Sequence, residues 1–184
     1  MKNQFSSGAC LLALISSSAF AAECQPEGAY DQFALQPPPG FVELRARPTQ
    51  NGITYTFRED KLENEAAGII QLVFNYTKDD FSLLKPEHQE EVKEIYINRY
   101  IGGIESRRAE FVKSAVTTES MGNSAYKKIA WSGKAGGEQM KGAMYVTVIN
   151  NVVTVINLQI PLDSEAILEK TVAECLGTLK LTLD

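Results

Sequence analysis

Few residues in this chain are equipped for chemistry, and their spacing does not gather them. There is one histidine, His88. Any Ser–His or Cys–His mechanism must draw on it. It lies near the start of a charged helical stretch with no nucleophile motif beside it, so it reads as a solvated surface residue. Zinc needs nitrogen or thiolate ligands, and one histidine with a pair of oxidised cysteines does not supply them. Glu87, Glu90, Glu91 and Glu94 lie on one helix with Asp79 and Asp80 nearby, but they do not follow a calcium-loop spacing. They read as a solvated face at a helix N-terminus, where carboxylates favour the helix dipole. The sharper reading is an acidic patch that meets a basic partner or a cation.

Other motifs are weaker still. Carboxylate pairs for glycoside hydrolysis exist in any acidic protein, and nothing here selects two of them. Neither Gly102-Gly103 nor residues 133–137 form a phosphate loop: the latter lacks the Gly-Lys-Ser/Thr ending, and neither opens a helix after a strand. Arg99, Arg107 and Arg108 would suit an anion site, but Glu105 and Glu110 interleave with them and surface pairing is the default. Trp131, the one tryptophan, stands in a strand beside a glycine-rich turn. It reads as a core or rim residue, with ligand stacking as the alternative. Asn75-Tyr76-Thr77 matches a glycosylation acceptor, which carries little weight behind a leader that looks bacterial. No catalytic residue, cofactor site or metal site is expected.

The leader occupies residues 1–21. Lys2 is its basic start, residues 10–15 its apolar core, and Ala19-Phe20-Ala21 fits the small-x-small cleavage rule. Cleavage is expected after Ala21 or one residue later. Cys10 follows Gly8-Ala9, faintly like a lipidation box, but the apolar core comes after it rather than before. That core is too short to span a membrane, and no later segment is long and apolar enough. Residues 22–32 read as a lead-in, and residues 33–184 as a single domain large enough for a real core. Losing Lys2 moves the net charge from −5 to −6, with 17 basic against 23 acidic residues. A mildly acidic chain argues against nucleic acid or an anionic membrane as the main partner. Two of the three cysteines remain, Cys24 and Cys175. In an exported protein they read as one disulfide, which adds about 4–5 kcal/mol for so long a loop in the chain-entropy model. A free thiol pair or an intermolecular bond is the rival reading.

The elements follow from periodicity. Residues 33–36 form a short strand, broken by Pro37-Pro38-Pro39-Gly40. Extended stretches follow at 41–45, at 53–57 and at 69–76, with Ile70, Leu72, Phe74 and Tyr76 on one face. Pro86 starts a helix whose apolar stripe reads Val92, Ile95, Tyr96, Arg99 and Tyr100. Gly102-Gly103 should end or bend it, with a second helical piece over 104–110. Strand character returns at 112–118 and at 125–131. Residues 140–160 are the best-specified element. Two β-branched runs flank Asn150-Asn151, which suits a two-residue turn with φ > 0 at both positions. That turn pairs Ile149 with Val152, Thr147 with Thr154, Tyr145 with Ile156 and Ala143 with Leu158. Both faces of this hairpin are apolar, which predicts cover on each side. A last helix runs over 164–176 with Asp163 or Ser164 as N-cap. It buries Leu168, Val172, Cys175, Leu176 and, beyond its end, Leu179. Strands joined by short turns make this an α+β domain built on an antiparallel sheet.

Residues 33–41, with their extended run, proline-glycine break and Phe41, resemble the opening of PsbP-like domains. Residues 122–127, the turn at 133–137, residues 139–145, the Asn150-Asn151 turn, residues 152–158 and the final helix are similar to the later half of that family. Bacterial periplasmic DcrB-type proteins belong to it. The resemblance implies an α/β/α sandwich, an antiparallel sheet with helices on both faces. It implies a role such as assembly factor, accessory subunit or regulator of a partner protein. It carries over no functional residue, and the Cys24–Cys175 pair is not one of its hallmarks. The expected function is an exported, non-enzymatic accessory protein of the periplasm or exterior that binds another envelope or secreted protein. Trp131 and the six acids are its candidate contact residues. An immunity or inhibitor protein against an exported toxin is the narrower alternative. A carboxylate-dependent hydrolase is the enzymatic one.

Overall fold

The computed structural model describes residues 33–61, 66–163 and 166–183. The expected leader, the lead-in, Cys24 and the Ser164 cap lie outside the described residues, as does the side chain of Leu168.

The hairpin at 140–160 is the middle of an eight-stranded antiparallel sheet. Its strands are β2 (Phe41–Thr49), β3 (Gly52–Glu59), β4 (Ile69–Tyr76), β5 (Ala109–Lys113), β6 (Thr117–Met121), β7 (Ser124–Ala135), β8 (Glu138–Ile149) and β9 (Val152–Pro161). Their order is β2-β3-β4-β9-β8-β7-β5, with β6 also on β7. The β8–β9 register pairs Ile149 with Val152, Thr147 with Thr154, Tyr145 with Ile156 and Ala143 with Leu158, as the alternation requires. One expectation fails at the turn. Only Asn150 takes a left-handed φ, of 52°, so Asn151 carries no positive φ. The tip is also not a free end. Asn150 O accepts from Phe81 N, and Asn151 O accepts from Thr77 N and Thr77 Oγ1.

Alternate side chains of the sheet enter two separate clusters. One joins Tyr55, Phe57, Ile70, Leu72, Phe74, Tyr145 and Ile156 to Val172 and Leu176 of α2 (Ala166–Gly177). A small second sheet contributes to it, β1 (Phe33–Ala34) paired with β10 (Lys180–Leu181). The other joins Met144, Val146, Val148, Val153 and Val155 to Ile97, Ile101 and Ile104 of α1 (Pro86–Glu105). Two apolar faces in the hairpin thus become two cores.

Helix α1 departs from the sequence reading in two ways. It runs through Gly102-Gly103 to Glu105, and residues 104–110 form no second helix: β5 begins at Ala109. Each glycine costs about 1 kcal/mol relative to alanine in a helix, but the buried Ile101 and Ile104 hold the last turn on the sheet. Its buried stripe is also rotated from the expected one. Lys93, Ile97, Ile101 and Ile104 face inward, while Ile95 is 65% exposed. Val92, Tyr96 and Tyr100 sit at the margin, partly buried. The region expected as one strand at 112–118 is two, β5 and β6, on one edge of β7. Between them Ala130 N donates to Ser114 Oγ and Ser114 N to Ala130 O, so a side chain replaces one rung of the ladder.

Candidate functional site

The two flanks of α1 carry charge of opposite sign. On the flank toward β4, helical spacing aligns Tyr96, Arg99, Tyr100 and Gly103. They face the end of β4 across a cleft of about 350 Å³, lined also by Asn51, Asn75, Tyr76, Thr77 and Arg107. Strand alternation puts Asn75 on the α1 side, because Leu72 and Phe74 go to the other core. Asn75 Nδ2 donates to Tyr100 Oη at 2.6 Å. This is the nitrogen a glycan would take in the Asn75-Tyr76-Thr77 motif, and here it is half-buried and bonded. The Tyr96 and Tyr100 rings lie 6.5 Å apart at 25°, with Phe81 edge-on to Tyr96 at 6.3 Å.

Burial raises the Tyr100 pKa above the ordinary phenol value, against the opposing pull of the Arg99 charge. Tyr100 therefore stays a neutral donor at any physiological pH. Arg107 lies just past the helix end, and its Nε donates back to Gly103 O at 2.8 Å. This folds the guanidinium along the last turn, where a cation suits the helix dipole.

The sequence reading assigned these arginines to surface pairing with Glu105 and Glu110. The structure sends both acids elsewhere: Glu105 pairs with Lys113 at 2.7 Å and Glu110 with Lys134. Arg108 also leaves the group, donating to Gln159 and lying 5.7 Å over the Trp131 ring. Among the described residues, neither Arg99 nor Arg107 has a carboxylate within ion-pair distance. The spacing alone does not sort the three arginines, because Arg107 and Arg108 diverge only after the helix ends.

The other flank carries the acids. Glu87, Glu91 and Glu94 are exposed and have no cation partner among the described residues. Glu90 differs: it is held at 2.8 Å by Lys93 and at 3.0 Å by Lys127 of β7. The Lys93 hydrogen bond, with help from Lys127, keeps its pKa below the usual carboxylate value despite partial burial. Asp79 is exposed, while Asp80 caps the short 3₁₀ turn at Phe81–Leu83. It accepts from Ser82 N and Oγ at 2.9 and 2.6 Å, and these bonds lower its pKa. Among the described residues no three His, Cys, Asp or Glu side chains gather to hold a metal ion. His88 is exposed on the same stretch.

Trp131 stands apart from both flanks. It is only 4% exposed, stacked under Phe111 at 6.1 Å and packed on Gly142, where an added Cβ would lie 2.7 Å from the indole. Trp131 is thus a core residue, one of the two structural readings of the sequence, and the partly buried Phe111 and Arg108 lie over its ring. Cys175 is fully buried on α2.

No family model matches the sequence, and no curated protein matches it. Solved structures do. CyanoP, the cyanobacterial PsbP of Synechocystis sp. PCC 6803, superposes with a TM-score of 0.58 at 11% identity, covering 95% of this chain and 98% of its own. The fold resembles that of PsbP. LpqN of Mycobacterium tuberculosis, described as involved in cell envelope biogenesis, matches with a TM-score of 0.50 at 13% identity over 89% of this chain and 88% of its own. A Bacteroides thetaiotaomicron VPI-5482 protein matches at 0.54 and 10% identity over 83% of this chain, which spans 46% of that larger protein. At these identities the likeness is one of fold. Among the described residues no helix is long and apolar enough to cross a membrane.

Proposed function

We propose that this chain is an exported, non-catalytic accessory protein that docks on another envelope or secreted protein through the first turns of α1. The observation that carries this reading is the exposure of Leu83 (82%) and Ile95 (65%) along the stretch that also presents Glu87, Glu91 and Glu94. Apolar side chains left in water beside unpaired carboxylates suit a partner with an apolar surface rimmed by lysine or arginine. Desolvated leucine and isoleucine supply the affinity, and the carboxylates supply steering and orientation.

Export rests on the leader at 1–21. The Cys24–Cys175 disulfide rests on the cysteine count and on the buried position of Cys175, and it would tether the lead-in to α2. The α/β/α sandwich reading draws on the two cores, one containing α1 residues and the other α2 residues. Membership among DcrB-type periplasmic proteins is the finer form of the same reading. The carboxylate-hydrolase alternative gains nothing from the cleft, whose lining holds no carboxylate.

The test is recovery of a partner by the mature chain immobilised from envelope extract, compared with two variants. Reversing the three charges (Glu87→Lys, Glu91→Lys, Glu94→Lys) should abolish retention of that partner. Leu83→Ser with Ile95→Ser should weaken it by at least about tenfold, as expected when buried apolar anchors are removed. Equal retention by all three proteins contradicts the proposal.

A further inference from the structure

We propose that the cleft between α1 and the end of β4 binds an organic phosphate. The phosphoryl group would lie between Arg99 and Arg107, with its aryl or sugar body against Tyr96 and Tyr100.

The chain is net acidic, at −5, so a cation on its surface should find a carboxylate easily. Among the described residues Arg99 and Arg107 do not, and Glu105 and Glu110 are taken by Lys113 and Lys134. Positions three and four away from Arg99 are Ile95, Tyr96, Gly102 and Gly103, so the helix itself offers it no acid.

Next comes the donor count. Arg99 brings five N–H donors, and Arg107 keeps those that Gly103 O does not use. Tyr100 Oη already accepts from Asn75, which leaves its own proton to give, and burial keeps that proton on. The polar capacity left in the cleft is thus mostly donor and cationic, which selects an anion.

Shape narrows the class. The two guanidiniums come from different directions, one from the helix flank and one from beyond its end. A planar carboxylate presents one edge to a fork, whereas a phosphoryl group has three terminal oxygens and can receive two forks at once. The volume of about 350 Å³ exceeds what a bare phosphate fills and falls within the range of small-ligand sites. The near-parallel tyrosine rings offer an apolar wall for a ring. Space is open beside Gly103: outside the helix's own backbone, a Cβ there would meet only Arg107 Nη2, at 3.8 Å.

Phenyl phosphate titrated into the full mature chain, followed by amide NMR shifts, tests this. Saturable shifts are expected at residues 75–77 and 96–107. Arg99→Gln and Arg107→Gln should each weaken binding by about tenfold or more, as loss of a charge-assisted hydrogen bond implies. Tyr100→Phe, which keeps the ring, should weaken it less, and Lys180→Gln, an exposed charge on β10, should not change it. Phenylacetate should bind far more weakly than phenyl phosphate. Phosphatidylcholine vesicles with and without phosphatidic acid then separate the sources of the phosphate. Binding of phosphatidic acid vesicles that Arg99→Gln abolishes assigns a lipid headgroup. Binding of phenyl phosphate without vesicle binding assigns a soluble ester. Absence of saturable shifts, equal affinity for phenylacetate, or unchanged affinity in both arginine variants overturns the proposal.

Discussion

The two flanks of α1 are built by different physics. The acids at Glu87, Glu91 and Glu94 owe their alignment to helical spacing alone and would share a face in any helix of this sequence. The cationic cleft on the other flank exists only because β4 brings Asn75 under Tyr100 and because Arg107 folds back onto Gly103. The first flank is a property of a segment, the second of a fold. A local face tolerates change without loss of structure, while an assembled one depends on packing far from its own residues.

That contrast can be broken or sharpened by substitution. The largest effect is expected at Ile97, which is fully buried between α1 and the sheet. Ile97→Ala should cost about 2–5 kcal/mol in a denaturant melt and should loosen the cleft. Gly142→Ala comes next, because the new Cβ would lie 2.1 Å from Leu158 O and 2.7 Å from the Trp131 ring. Overpacking of this kind costs about 1–3 kcal/mol, and indole fluorescence should report it directly.

Asn75→Ala removes the donor to Tyr100 and should cost about 1 kcal/mol. The Tyr100 phenol should then titrate at higher pH still, since the Asn75 bond opposes the rise caused by burial. Glu90 differs from Glu87, Glu91 and Glu94 in being held by two lysines. Its pKa is depressed in the folded chain, so its contribution is present above the unfolded carboxylate value and is lost as pH falls through the folded one. Glu90→Gln should flatten the acid limb of stability against pH. Glu87→Gln, Glu91→Gln and Glu94→Gln should each stay within about 0.5 kcal/mol of the parent.

What could be read in advance divides along the same line. The β8–β9 register was legible because period-2 alternation and a two-residue turn leave one solution, with Tyr145 opposite Ile156. The buried stripe of α2 was legible at Val172, Cys175 and Leu176 for the equivalent helical reason. The stripe of α1 was misjudged because this helix carries two candidate stripes. The aromatic one, Tyr96 and Tyr100, outweighed the Ile97, Ile101, Ile104 spacing that in fact meets the sheet. Only the strands beneath decide between them.

The end of α1 was misjudged for a similar reason. Glycine propensity is a local term of about 1 kcal/mol per residue, and burial of Ile104 exceeds it. The arginines of the cleft could be read as candidates for an anion site, but Asn75 and the end of β4 join them only across the fold. The acids that interleave with the arginines could be discounted only once Lys113 and Lys134 were seen to hold them. Trp131 could be read as a core or rim residue beside a glycine-rich turn; β7 continues to Ala135 and carries it into the core.

The central claim is that the acidic flank of α1 is where another protein docks. Photo-cross-linking in the intact envelope tests it most directly, with a photoreactive residue placed in turn at Leu83, Glu91 and Ile95 and at Gly103 on the cleft flank. The account predicts one protein adduct of constant size from the first three positions and none from Gly103. Adducts that form equally from all four positions, or from Gly103 alone, would contradict it.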